Sequence, residues 1–190
     1  MKIVSPAEWI TQPWRNGGGV THEVFREASA SERSDTFTLR VSVAEVTRDG
    51  PFSRFEGIDR WITLLEGHGF TLHREGGPPR VIDRAFEPFA FPGEAAIDCT
   101  LIDGPVRDLN VMADRARRDV RVAVLAPSGG ALVVGAESIE GAKLLVFVLE
   151  GSIEVRGTTL ARHALMITEA RGIELVGAAR LMVIWATPIR

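Results

Sequence analysis

Phe37-Thr38-Leu39-Arg40-Val41-Ser42-Val43-Ala44 is the stretch whose reading decides the fold. Phe37, Leu39, Val41 and Val43 fall on one side of an extended chain, and Thr38, Arg40, Ser42 and Ala44 on the other. That is the period of two a β-strand imposes. The second side is either wet, as on the outer face of an antiparallel sheet, or turned into a small lumen where a few polar groups mark a ligand site. From the alternation alone the wet face is the simpler reading.

Working outward, strands recur between turn signals. Arg60 to Leu65 is a strand ended by Glu66-Gly67, and Gly69 to His73 restarts as its hairpin partner. Phe89-Ala90-Phe91 runs into Pro92-Gly93, Ile97 to Ile102 is closed by Asp103-Gly104-Pro105, and Val120 to Leu125 ends at Pro127-Ser128-Gly129-Gly130. Lys143 to Leu149 is a near-continuous apolar strand ended by Glu150-Gly151, with Ser152 to Gly157 behind it. Ala164–Ile167, Ile173–Val176 and Arg180–Ala186 follow. Leu64-Leu65-Glu66-Gly67 and Val148-Leu149-Glu150-Gly151 match, one in each half, so the repeat has the scale of a whole sub-domain. The 19 Gly and 10 Pro are spread along the length and long helical patterns are scarce. The expectation is an all-β chain of two packed β-barrel halves, residues 1–110 and 111–190, with no linker between them. The exception is Asp108 to Asp119, where a short helix and a turn or loop read equally well. Its arginines alternate with Asp108, Asp114 and Asp119, as on a solvated face.

Charge and composition exclude several functions. With 22 Lys+Arg against 25 Asp+Glu the net charge is −3, which argues against a nucleic-acid partner. No apolar run reaches the ~18 residues of a membrane span, and Met1 to Pro13 lacks the apolar core of a signal peptide, so the expectation is a cytoplasmic protein. Cys99 is the sole cysteine, which excludes an internal disulfide. His22, His68, His73 and His163 are all too far apart for a His-x-His or His-x-x-His pair, so no metal and no cofactor is expected. There is no Gly-x-Ser-x-Gly elbow, and no catalytic residue is assigned.

Two segments invite a chemical reading. Pro13-Trp14-Arg15-Asn16-Gly17-Gly18-Gly19-Val20-Thr21 fits neither a phosphate loop nor a dinucleotide fingerprint. It reads as an Asn-Gly hairpin turn or as backbone whose N–H groups approach a ligand closely. Asp49 to Arg60 is a tight Gly/Pro/Phe loop that delivers Arg60 to the start of a strand. Arg40 and Arg60 thus lie on neighbouring elements in small or apolar settings. Such arginines need a partner: an internal pair with Asp59, Asp49 or Asp108, or a ligand carboxylate gripped by the guanidinium fork.

Trp14-Arg15-Asn16-Gly17-Gly18-Gly19-Val20-Thr21-His22-Glu23-Val24 resembles the opening signature of the HutD/Ves family. Arg40–Ala44, Asp49-Gly50-Pro51-Phe52-Ser53, Phe55-x-Gly57-x-Asp59-Arg60, Leu64–Gly67, Pro88-Phe89-x-Phe91-x-Gly93 and Asp108-x-Asn110-x-Met112 are similar to its later blocks, in order. The resemblance implies a bicupin-like double β-barrel of two packed jelly-roll halves, without the usual cupin metal motif. It also implies an association with bacterial histidine utilisation, in which urocanate, formiminoglutamate and N-formylglutamate are all carboxylates.

On the bicupin reading, the first half carries the ligand pocket and the second is mainly structural. Arg40 and Arg60 clamp a carboxylate; Asn16, Ser42 and Asn110 supply neutral hydrogen bonds. Trp14 walls the pocket, with Arg15 and Gly18 on the loop at its mouth. The leading function is a metal-independent binder of a small carboxylate with a regulatory role in histidine catabolism. The rivals are a cupin-type isomerase or hydrolase using His22 or His73 as general base, and an interaction module whose exposed edge pairs with a second copy as a homodimer.

Overall fold

Alternating and near-continuous apolar runs make strands of almost the whole chain. In the computed structural model, which describes residues 1–29 and 36–189, no α-helix forms among the described residues. A single 3-10 turn spans Pro6–Glu8, and no helix is long and apolar enough to cross a membrane. The chain divides into two compact units, Ile10–Ala116 and Met1–Trp9 with Arg117–Arg190.

Strand β1 (Lys2–Val4) belongs to the smaller unit. The larger holds β2 (Ile10–Pro13), β3 (Gly19–Ala28), β4 (Phe37–Val46), β5 (Gly50–Pro51), β6 (Ile58–Glu66), β7 (Phe70–Arg74), β8 (Arg80–Ile82), β9 (Phe89–Pro92), β10 (Ile97–Leu101) and β11 (Val106–Asp114). They form a six-stranded sheet, β2-β3-β4-β11-β6-β9, and a four-stranded one, β5-β10-β7-β8. Ala44, Ile62, Leu64 and Phe91 of the first pack on Phe70, Leu72, Ile82, Ile97 and Cys99 of the second to make the apolar core of this unit.

The smaller unit adds β12 (Arg118–Leu125), β13 (Ser128–Val134), β14 (Lys143–Val155), β15 (Thr158–Ala161), β16 (Leu165–Thr168) and β17 (Ile173–Pro188). They pair in the order β1-β16-β14-β17-β12, with β13 on the far end of β17 and β15 on that of β14. Its core is solidly aliphatic, built from residues such as Leu144, Val146, Val148, Ile153, Leu181 and Val183. Each sheet is open, ending in edge strands rather than closing on itself, among the described residues.

The internal repeat has a structural cause. Arg107 faces Glu66 and Asp108 faces Leu64, which leaves Leu65 bulged out of the β6–β11 ladder. Leu149 is bulged in the same way between Val148 and Glu150 on β14. In both places the glycine that follows, Gly67 or Gly151, takes a positive φ. A Cβ at either would meet a backbone oxygen, that of Pro105 at 2.7 Å or of Ala178 at 2.5 Å. A strand that must bulge and then turn against another backbone calls for this pair of residues in both units.

The stretch Asp108–Asp119 is not helical. It is the second half of β11, a turn, and the start of β12. Asp108, Asn110 and Met112 alternate with Leu109, Val111 and Ala113, a period of two that leaves no helical face. The division drawn at 110/111 falls inside β11, which runs unbroken in the larger unit to Asp114.

Candidate functional site

The site follows from the sidedness of three adjacent strands. In register, Ala44, Asp108 and Leu64 form one rung across β4, β11 and β6; Ser42, Asn110 and Ile62 form the next; Arg40, Met112 and Arg60 the third. Residues opposite one another share a face, so the polar side of the Phe37–Ala44 alternation points at the same space as Asp108, Asn110 and Arg60. That side is not wet: Ser42 is 3 % exposed and Ala44 is buried. Where the apolar core gives out, these side chains line a cavity of about 470 Å³, with Trp14, Arg15 and Asn16 at one border and Phe52, Ser53 and Phe55 at another.

Arg60 is 7 % exposed. Three phenylalanine rings surround its guanidinium, Phe91 at 4.9 Å, Phe52 at 5.5 Å and Phe55 at 5.6 Å, all within cation–π range. Nη1 donates to the Ser53 carbonyl at 3.2 Å and Nη2 to Asn110 Oδ1 at 2.9 Å. Nε is buried and has no hydrogen-bond partner. Burial pulls this guanidinium down to about 10, with Asp108 opposing the shift and Arg40 adding to it.

Asp108, 1 % exposed, lies at the other end of the same chain of bonds. Its Oδ1 accepts from Asn110 Nδ2, while its Oδ2 is buried without a partner. Burial pushes its carboxyl up to about 7, against the pull of Arg60 and Asn110. Of the three internal partners open to Arg60, Asp108 is reached only through a relay in which Asn110 stands between the charges.

Arg40 takes a partner of its own. Its Nε donates to Glu23 Oε2 at 2.8 Å, and Arg26 approaches the same oxygen at 3.6 Å. A bulge at Val24 makes this possible, since Glu23 opposes Ser42 and Arg26 opposes Arg40, which puts both on the cavity side of β3. Asp59 is occupied by Arg115 at 2.9 Å, and Asp49 accepts the Leu101 N–H at 2.8 Å. Neither meets Arg40 or Arg60.

The Trp14–Gly19 loop is the hairpin turn joining β2 to β3. Trp14 N–H donates to the Gly19 carbonyl, Gly17 N–H to the Trp14 carbonyl and Thr47 N–H to the Gly18 carbonyl. The Asn16 side chain accepts from Gly18 N–H at 3.0 Å, so that N–H is spent inside the turn. Gly18 is buried and does not line the cavity. Gly19 is required by crowding, because a Cβ there would sit 2.3 Å from the Glu45 oxygen. Trp14 is steadied by its Nε1 bond to Thr21 Oγ1 at 2.7 Å. Arg15 is exposed at the rim.

Seven of the eight expected ligand contacts, Trp14, Arg15, Asn16, Arg40, Ser42, Arg60 and Asn110, therefore border one cavity. The histidines do not. His22 lies on the opposite side of β3, bonded to Thr11 and Glu45, and His73 bonds Thr100 at 2.6 Å. His68 is exposed beside Asp103, and His163 is stacked on Phe147 in the smaller unit. No cluster of three His, Cys, Asp or Glu suited to a metal occurs among the described residues. Cys99 is a buried thiol pushed up to about 12, by burial first and then by Asp108 and Asp49. Sequence reading named Asp108 among the internal ion-pair partners of the arginines, but missed it and the phenylalanine collar as parts of the cavity wall. Asp108 carried a signal, since it stands two residues from Asn110 on the inward side of the same strand.

Comparison with known proteins now decides the family, for the HutD family model matches residues 7–183. The chain belongs to the HutD family. A curated relative from Pseudomonas putida, described as an uncharacterized 21.2 kDa protein in the hutC 3' region, is 38% identical over 112 residues. That match covers 59% of this chain and 57% of the relative, so the chain aligns with little more than half of the relative's length. The solved structure of HutD from Pseudomonas fluorescens SBW25 superposes with a TM-score of 0.85 at 28% identity, covering 100% of this chain and 99% of that one. YhhW from Escherichia coli superposes with a TM-score of 0.72 at 9% identity, covering 100% and 98%. That last likeness is one of fold alone, an all-β fold shared with cupin-like neighbours.

Proposed function

We propose that this HutD-family chain is a metal-independent binder of a small carboxylate, acting in the cytoplasm to regulate histidine utilisation, and that its units are the two halves of a bicupin. One observation carries the binding reading: a guanidinium 7 % exposed, held in an aromatic collar beside a cavity, with a donor left over and no carboxylate in direct contact. A buried arginine is costly unless its charge is answered, and a bidentate carboxylate is the group its fork fits best. The name of the P. putida relative, placed in a hutC region, and that of the P. fluorescens HutD structure support the pathway. Urocanate, formiminoglutamate and N-formylglutamate are the candidate ligands.

The enzyme reading has lost its bases, since neither His22 nor His73 borders the cavity. A cavity of this size also argues against an interaction module packed solid. The test is thermal denaturation with each candidate and with Arg60→Met. A true ligand at ~100 times its Kd adds about 2.7 kcal/mol, roughly 5–10 °C for a chain of this length. The Arg60→Met protein should fold and show none of that gain. Flat melts for all three acids at millimolar concentration, or a gain that survives Arg60→Met, would overturn the reading.

A further inference from the structure

Arg60, Asn110 and Asp108 form one relay, and its two ends are unfinished. A guanidinium can only donate, so it fixes Asn110 with Oδ1 toward Arg60 and Nδ2 toward Asp108. The relay thereby satisfies part of each charge and keeps the two from meeting. What remains is one buried donor, Arg60 Nε, and one buried acceptor, Asp108 Oδ2, each without a partner. Both residues border the same cavity. Buried polar atoms in folded proteins are nearly always hydrogen-bonded, so an orphan pair of opposite kind in one cavity calls for an explanation.

We infer that the site is built for an acid that also carries an N–H donor, its carboxylate resting on Arg60 while the N–H of the same small molecule is donated to Asp108. This rests on the carboxylate-binding reading and narrows it. A plain carboxylate would answer Arg60 and place a second anion near a buried one, which makes Asp108 worse off. An apolar tail would bury Asp108 Oδ2 deeper with nothing to offer it. An imidazole, amidine, amide or amine nitrogen a short distance from the carboxylate satisfies both ends at once. Glu23 does not compete for this N–H, because it is already shared by Arg40 and Arg26.

The experiment compares pairs of acids with the same carboxylate chain, one ending in an imidazole and the other in a phenyl ring that carries no nitrogen. Urocanate is set against cinnamate, its phenyl counterpart, and imidazole-4-propanoate against 3-phenylpropanoate, by calorimetry at pH 8. The expected result is that wild type prefers the nitrogen-bearing member of at least one pair by roughly tenfold or more, the discrimination typical of a site with a buried polar group to satisfy. Asp108→Asn should bring that preference to within about threefold while the Arg60-dependent binding of the phenyl acids persists. Equal binding within both pairs, lost in Arg60→Met, would overturn this inference and leave carboxylate binding standing. A preference unchanged in Asp108→Asn would also overturn it. No binding by any of the four would overturn this inference, and the melts with formiminoglutamate and N-formylglutamate would then decide carboxylate binding separately.

Discussion

Strands β4 and β14 show how differently the two units use the same construction. Each is an inner strand, and each unit carries a bulged leucine followed by a positive-φ glycine, Leu65 with Gly67 and Leu149 with Gly151. Yet β14 presents Leu144, Val146 and Val148 to its core, where β4 presents Arg40, Ser42 and Ala44 to a cavity. Aliphatic side chains interdigitate and exclude water at crystal-like density. Arginine, serine and a buried aspartate cannot fill space that way without leaving donors and acceptors to be matched. One unit has spent its inner face on cohesion, and the other has kept part of it for chemistry.

The sharpest way to break that contrast is to make a hole in the solid unit. Leu181 is fully buried in the aliphatic core, and Leu181→Ala removes apolar contacts and leaves a void, a loss of about 2–5 kcal/mol. The midpoint of guanidinium unfolding should fall accordingly, with ligand affinity at the cavity of the larger unit preserved in the folded fraction. A loss below about 1 kcal/mol would mean that this core is less tightly packed than its burial indicates.

Asp108 gives the reverse effect. Its carboxyl is raised from an ordinary 3.8 to about 7 by burial, so between those pH values the folded protein holds a proton that the unfolded chain has released. Stability contributed by this group is therefore complete below about pH 4 and declines as pH rises toward 7. Asp108→Asn removes the buried charge and should stabilise the protein at pH 8 by roughly 1–3 kcal/mol, a gain that shrinks at pH 5. Melting curves of both proteins across that range check it. A variant less stable than wild type at pH 8 would show that Asp108 is held by its neighbours more firmly than the relay through Asn110 implies.

Much of this could be read from residues alone, and the boundary between what could and could not is physical. The β4 alternation that sets Arg40 and Ser42 on one side and the repeated Leu-Glu-Gly turns are local patterns, whereas Asn110 lies in a stretch that reads equally as helix, turn or loop. Whether the polar side of β4 faced water or a cavity was not local, because it depends on the four-stranded sheet that covers it. The partners of the arginines were likewise set by register: a one-residue bulge at Val24 brings Glu23 to Arg40, and no spacing along the chain announces a bulge. Short strands such as β1, β5 and β8 were hidden because two or three alternating residues carry no distinguishable period. Gly18 misled for the opposite reason. A glycine run suits both a ligand cradle and a tight turn, and the Asn16 side chain settles it by taking the free N–H.

The smallest effect tests what holds the cavity's cover. Phe52 and Phe55 sit on the loop that borders it, and that loop is tied by Phe52 N–H to the Ile97 carbonyl and by Phe55 N–H to the Gly93 carbonyl, both at 2.9 Å. Arg115 clamps the same corner, with both nitrogens of its fork on Glu94, at 2.6 and 2.8 Å, and further bonds to Asp59 and the Ile58 carbonyl. Hydrogen bonding from Arg115 holds the Glu94 carboxyl down to about 2, so whatever it contributes is present above its ordinary 4.5 and is lost as pH falls through that lower value. Because Glu94 is solvent-screened, the global unfolding midpoint of Glu94→Gln should not move measurably. Hydrogen exchange at the Phe55 amide is the readout that should move, several-fold faster in the variant, since local opening is governed by the contacts next to it. If that amide stays equally protected, the cover is fastened by the packing of Phe52 and Phe55 rather than by the ion pair, and this loop is held by the same apolar cohesion as the smaller unit.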